Sequence, residues 1–174
     1  TQTERPGYLR LIGKDSLTSK FKQAFVARRW QHFEFEAETK VDVSPTTFQQ
    51  YAGLVNYYNT ENWTALDITF DEKHGRILTI MSYDNTNFSA PLETPIVLPE
   101  KGEVYLKVCV AANVYQYSYS LNGTEWQEVG PQFESYKLSD DYVRGGGFFT
   151  GAFVGMHCVD LYMQSLPADF EYFR

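Results

Sequence analysis

The sequence has no apolar run approaching the roughly 20 residues that a membrane-spanning helix needs. It also has no Lys/Arg cluster beyond the single pair Arg28-Arg29. With 15 basic and 22 acidic side chains the formal net charge is −7, and such a surface repels a phosphate backbone and anionic lipid alike. Nucleic acid and membrane partners are therefore not expected. Cysteine is scarce. Cys109 and Cys158 show no CxxC or CxxH spacing and sit among apolar neighbours, so two buried free thiols are expected. Histidine is scarce too, and His32, His74 and His157 are scattered, none at metal-ligand spacing from another His or Cys. Asp84-Asn85-Thr86-Asn87 and Asp140-Asp141 could offer oxygens to a structural calcium. Neither follows the EF-hand pattern, and ordinary polar turns have the same composition. No metal and no cofactor are expected. No signal peptide opens the sequence, which points to a cytoplasmic protein.

What is abundant is aromatic. The 174 residues include 13 Tyr, 13 Phe and 3 Trp, a load that suits strands better than helices. Period-two alternation dominates. From His32 to Val43 the odd positions Phe33, Phe35, Ala37, Thr39, Val41 and Val43 are mostly apolar, and every even position is polar. Successive strand side chains face opposite ways, so this segment predicts a long strand with one wet face. Further strands are predicted over Leu54 to Tyr58, Trp63 to Phe70, Arg76 to Met81, Val104 to Ala112, Tyr115 to Leu121, Trp126 to Val129, Ala152 to Leu161 and Ala168 to Phe173. Asn122-Gly123 predicts a tight hairpin. Only Lys20 to Trp30 also fits a helical stripe. Many strands, short turns and no βαβ rhythm imply an all-β sandwich of a single domain, residues 8–174, preceded by a polar linker, residues 1–7.

Three constellations invite chemistry. Glu34, Glu36 and Glu38 alternate on one strand, which sets neighbouring carboxylates about 7 Å apart, within range of a glycosidase acid/base pair. Lys40 and Asp42 extend the same polar row, however, and no aromatic interrupts it to hold a sugar; a solvated sheet face is the better reading. His157 beside Cys158 is no dyad, because adjacent strand residues point to opposite faces. Arg144-Gly145-Gly146-Gly147-Phe148-Phe149 is a local oddity. The glycines suit a sharp loop, but no Gly-Lys-Ser/Thr follows, so a phosphate cradle is excluded. On composition alone the two rings after it read as core anchors.

Longer motifs carry a resemblance. Phe25-Val26-Ala27-Arg28-Arg29-Trp30-Gln31-His32-Phe33, Ala52-Gly53-Leu54-Val55-Asn56-Tyr57-Tyr58-Asn59, Gly151-Ala152-Phe153-Val154-Gly155-Met156-His157-Cys158 and Ala168-Asp169-Phe170-Glu171-Tyr172-Phe173 are similar to the C-terminal domain of glycoside hydrolase family 43 β-xylosidases. The resemblance implies a concanavalin A-like (jelly-roll) sandwich of two antiparallel sheets. It also implies an N-terminal five-bladed β-propeller in the same polypeptide that holds the catalytic carboxylates, so that none lies in this chain. The sandwich would stabilise the enzyme and cap the propeller's pocket during hydrolysis of xylo-oligosaccharides, releasing xylose or arabinose. A pocket lid is implied at Gly145, Gly146, Gly147, Phe148 and Phe149, with Phe148 the preferred lid ring of the two. A homo-oligomer stays open. The competing reading is a stand-alone lectin-like carbohydrate-binding module, with Trp30, Trp63 and Trp126 as its platform.

Overall fold

A computed structural model describes residues 4–144 and 149–174. Thirteen strands and one short 3-10 turn, Ser135–Leu138, make up the regular structure of the described residues. One sheet contains, in spatial order, β1 (Leu9–Ile12), β13 (Pro167–Phe173), β3 (Glu34–Val43), β9 (Val104–Ala111), β10 (Val114–Ser120) and β11 (Gln127–Glu134). The other contains β2 (Ala24–Arg29), β12 (Phe153–Asp160), β4 (Gln50–Asn59), β5 (Asn62–Asp71), β6 (Gly75–Asp84) and β7 (Asn87–Ser89), with β8 (Ile96–Val97) beside β6. All strand pairs are antiparallel. The protein is the two-sheet antiparallel sandwich that the alternation and the resemblance predict.

The inner faces bury Val41, Leu106, Val108 and Tyr117 from one sheet against Leu54, Leu66, Leu78 and Ile80 from the other. Several polar groups admitted to this core bond one another. The Thr64 hydroxyl lies 3.0 and 2.9 Å from the hydroxyls of Tyr115 and Tyr117, and Asn56 donates to the latter at 2.9 Å. At one end, the fully buried carboxylate of Asp160 accepts the backbone N–H groups of Tyr162, Met163, Ser165 and Leu166 at 2.9–3.0 Å. Burial alone would raise its pKa; the four donors overcome it and hold the acid far below the usual carboxylate range.

Several expectations are corrected. The ambiguity left open over Lys20 to Trp30 resolves to strand, with residues 24–29 forming edge strand β2. Cys109 is exposed, and only Cys158 is buried. β9 turns Val108 and Val110 into the core, so the alternation places the thiol between them on the opposite face. Phe33 is not on the buried face of β3. That strand begins at Glu34, and Phe33 is 85% exposed in the loop before it. The Asn122-Gly123 connection is wider than a two-residue hairpin. The last pair is Tyr119 with Gln127, and the Asn122 side-chain oxygen accepts the N–H groups of Thr124 and Glu125 at 2.9 Å. Within the expected linker, Arg5 bonds Asp42 at 2.8 Å and Asp169 at 3.0 Å.

Candidate functional site

The loops at one end of the sandwich converge on a groove of about 390 Å³. Trp30 to Phe33 leaves β2, Ala112-Asn113 turns β9 into β10, residues 135–140 follow β11, and Gly151-Ala152 leads into β12. Backbone bonds fasten these segments to one another: Trp30 N–H to Ala152 O at 2.9 Å, Ala112 N–H to Phe33 O at 2.8 Å, and Ser135 N–H to Asn113 O at 2.8 Å. Beside the groove stands Phe149, 89% exposed, with the left-handed φ of +57° that a bulky residue rarely adopts. Its N–H donates to the Asp140 carboxylate at 3.0 Å, and the Tyr58 hydroxyl bonds the same oxygen. Asp140 thus secures the backbone from which the ring projects. Of the expected lid, Gly145, Gly146, Gly147 and Phe148 lie outside the described residues. Phe149 is not a core anchor: its ring faces solvent.

The acidic row on β3 offers no free pair. The side chain of Glu36 is 63% exposed and lies 3.9 Å from Lys107. Glu38 faces Lys107 at 3.7 Å and Arg174 at 3.2 Å and accepts the Tyr172 hydroxyl. These are the partners of a solvated sheet face. In the two acidic turns, Asp84 and Asp140 bond groups of the fold itself. Asp84 takes Lys137 at 2.9 Å and Tyr142 at 2.8 Å, and Asp140 is the Phe149 anchor. Among the described residues no cluster of three His, Cys, Asp or Glu is placed to hold a metal ion.

The three tryptophans do not form one platform. Trp30 packs edge-on against Phe35 and Tyr115 at the groove. Trp126 lies under the Lys107 ammonium, 3.9 Å from the ring centroid, on the opposite sheet from Trp63. Trp63 is 4% exposed and stacks on Tyr83 at 5.6 Å with an interplanar angle of 9°. It belongs to a cross-strand row, Phe153–Tyr57–Trp63–Tyr83–Phe88, which runs over five adjacent strands of the seven-stranded sheet. Where two rings of the row stack face to face, they turn their edges outward, and a sugar needs a ring face.

The residues also show a buried polar pair that pattern reading misses. His157 Nε2 and Asp67 Oδ1 lie 2.6 Å apart, both side chains fully buried. The register explains how they meet. Gly53 of β4 is opposite His157 on one side and Asp67 on the other. A Cβ there would lie 1.9 Å from Leu66 O and 2.8 Å from Asp67 Oδ1, so only glycine lets the imidazole reach across the strand.

The described residues form a two-sheet antiparallel sandwich with a loop-walled groove at one end. Over residues 1–174 the sequence matches the β-xylosidase C-terminal concanavalin A-like domain, and the chain belongs to that family. It is 58% identical over 173 residues to a β-xylosidase of Bacillus subtilis (strain 168), covering 99% of this chain and 32% of that protein. With a xylan 1,3-β-xylosidase of a Vibrio species it shares 36% identity over 172 residues, again 99% of this chain and 32% of the other. The solved xylan β-1,4-xylosidase of Bacillus halodurans C-125 superimposes with a TM-score of 0.97 at 43% identity, over 100% of this chain and 33% of that one. The chain spans about a third of the length of the curated relatives it matches.

Proposed function

We propose that this chain is the accessory C-terminal domain of a β-xylosidase/arabinofuranosidase-type glycoside hydrolase. In this reading the chemistry belongs to an N-terminal five-bladed β-propeller of the same polypeptide. The sandwich stabilises that domain and caps its pocket during hydrolysis of xylo-oligosaccharides. The supporting observation is family membership over the whole chain by a sequence spanning a third of its relatives. Phe149 supports the capping role physically. A ring held out in solvent on a left-handed backbone, with a carboxylate fastening its N–H, gains nothing for the sandwich itself. Local strain of this kind is retained where something else uses it.

A ring laid over a sugar subsite excludes water and covers an apolar sugar face, which improves positioning without supplying acid or base. One such ring is worth about 1–3 kcal/mol. In the full-length enzyme, Phe148→Ala or Phe149→Ala, whichever ring is the lid, should therefore lower kcat/KM by about ten- to a hundredfold with an unchanged melting temperature. Steady-state kinetics and calorimetric melting on both variants decide it. Normal kinetics in both would remove the capping role.

A further inference from the structure

We propose that the end groove is itself a binding site for an uncharged pyranose ring, independent of whether the neighbouring loop caps a catalytic pocket. Its walls define the guest. Among the described residues no Lys or Arg lines it and the single His32 is its one basic group, so it lacks the clustered cationic donors that hold a phosphate or a uronic acid carboxylate. Among the described residues the one acidic lining residue is Asp140, whose Oδ1 accepts the Phe149 N–H and the Tyr58 hydroxyl, and a single carboxylate makes a poor cation site. Two rings stand at the mouth, Phe33 at 85% and Tyr136 at 54% exposure. Asn113 and Ser135 line the same groove.

Six buried side-chain polar atoms have no hydrogen-bond partner among the described residues, and two of them, the indole Nε1 of Trp30 and the Oγ of Ser135, belong to residues that line the groove. Buried polar atoms without partners are uncommon in folded proteins. The guest that answers all of these features has one apolar CH face for the rings and a rim of hydroxyls for the amide, hydroxyl and indole. That is a neutral sugar ring. About 390 Å³ accommodates one or two such rings and falls within the range of small-ligand sites. The three backbone bonds that tie the wall segments together make the groove largely preformed, so little ordering is lost on binding.

Trp30 supplies the reporter. Two-dimensional NMR of the 174-residue chain would follow its three indole N–H signals during titration with xylobiose, with glycerol as a polyol that has no ring. The Trp30 signal should shift and saturate in the millimolar range, while the signals of Trp63 and Trp126 stay in place. Phe33→Ala removes an exposed ring, so folding is untouched, and it should weaken the interaction about tenfold. Phe88→Ala removes another exposed ring, on β7, and should leave the interaction unchanged. Absence of a Trp30 shift would overturn the site. So would a non-saturating drift matched by glycerol, or a Phe33→Ala variant that binds like the parent. Each of these results is separate from the kinetics of Phe148→Ala and Phe149→Ala, so the groove and the cap stand or fall separately.

Discussion

The outer face of the six-stranded sheet carries Lys40 between Glu103 at 2.6 Å and Glu171 at 2.7 Å, with Glu38, Lys107 and Arg174 beside them. The outer face of the seven-stranded sheet carries the aromatic row Phe153 to Phe88. Next to that row lies a second cluster of Leu17, Val55, Trp63 and Ala65, with Phe25, Tyr57, Met81 and Tyr83 packed on it. Both surfaces look away from the central core, yet the first meets water with charges and the second hides a His–Asp pair from it. Ion pairs that keep contact with water contribute less than buried ones and lose less when one partner is removed. A buried charged or hydrogen-bonded pair tolerates the loss of neither partner. The two faces of one small domain therefore differ in what a mutation can do there.

Asp67→Ala tests this at its largest. It leaves His157 buried with no partner at Nε2, and breaking such a pair costs about 3–5 kcal/mol. Denaturant unfolding of the variant should show a loss of that size at an unchanged m-value. A loss under about 1 kcal/mol would show that the seven-stranded face tolerates change as the charged face does.

The same contrast governs what could be read in advance. β3 was legible because its polar side chains alternate with buried ones, and its observed span Glu34–Val43 departs from the alternating stretch by two residues at one end. β4 was recognised only over Leu54 to Tyr58, although it runs Gln50–Asn59. With residues buried on both of its faces, it has no alternation to mark its ends. Strands β1, β7 and β8 went unseen because two to four residues carry too little pattern. The His157–Asp67 pair needed a cross-strand register, which no local pattern contains; an interior glycine in a strand was its one visible trace. At the end groove, the tryptophan and phenylalanine were visible as residues, but not their exposure. Phe33 and Phe149 are both outside regular strands, where period-two logic has no force.

On the charged face, the strongest single anchor is Asp169. Arg10 grips it with two bonds, 2.6 and 2.7 Å long, and Arg5 adds a third at 3.0 Å. Arg10 first, then Arg5, holds its acid below the ordinary carboxylate range against the opposing effect of burial. Asp169→Asn should cost about 2 kcal/mol at neutral pH, the scale of hydrogen bonds to a charged group. The sign with pH follows from the depressed folded pKa. The stabilisation is fully present above the unfolded carboxylate pKa of about 3.9 and is lost as pH falls through the folded value. Melting of parent and variant should thus converge as the solution is acidified below about pH 4, whereas Asp160, held by four backbone donors, keeps its contribution to lower pH. A constant gap between parent and Asp169→Asn down to pH 2 would mean that the stabilisation is not electrostatic.

The smallest effect is expected where the sequence most invited a catalytic reading. Glu36 sits in the middle of the Glu34/Glu36/Glu38 row, and its side chain is 63% exposed, with one long contact to Lys107 at 3.9 Å. An acid/base role would need a carboxylate in a shielded site with a sugar held against it. A solvated carboxylate on an open sheet has neither the enclosure nor the neighbours. Glu36→Gln keeps the shape and removes the charge, so it should change stability by less than about 0.5 kcal/mol. In the full-length enzyme it should leave kcat/KM for a nitrophenyl xyloside at the parent value, and the isolated chain should show no turnover with or without it. Turnover by the isolated chain that survives repurification and disappears in Glu36→Gln would place chemistry on this face. It would also reverse the comparison, making the wet, tolerant surface the functional one.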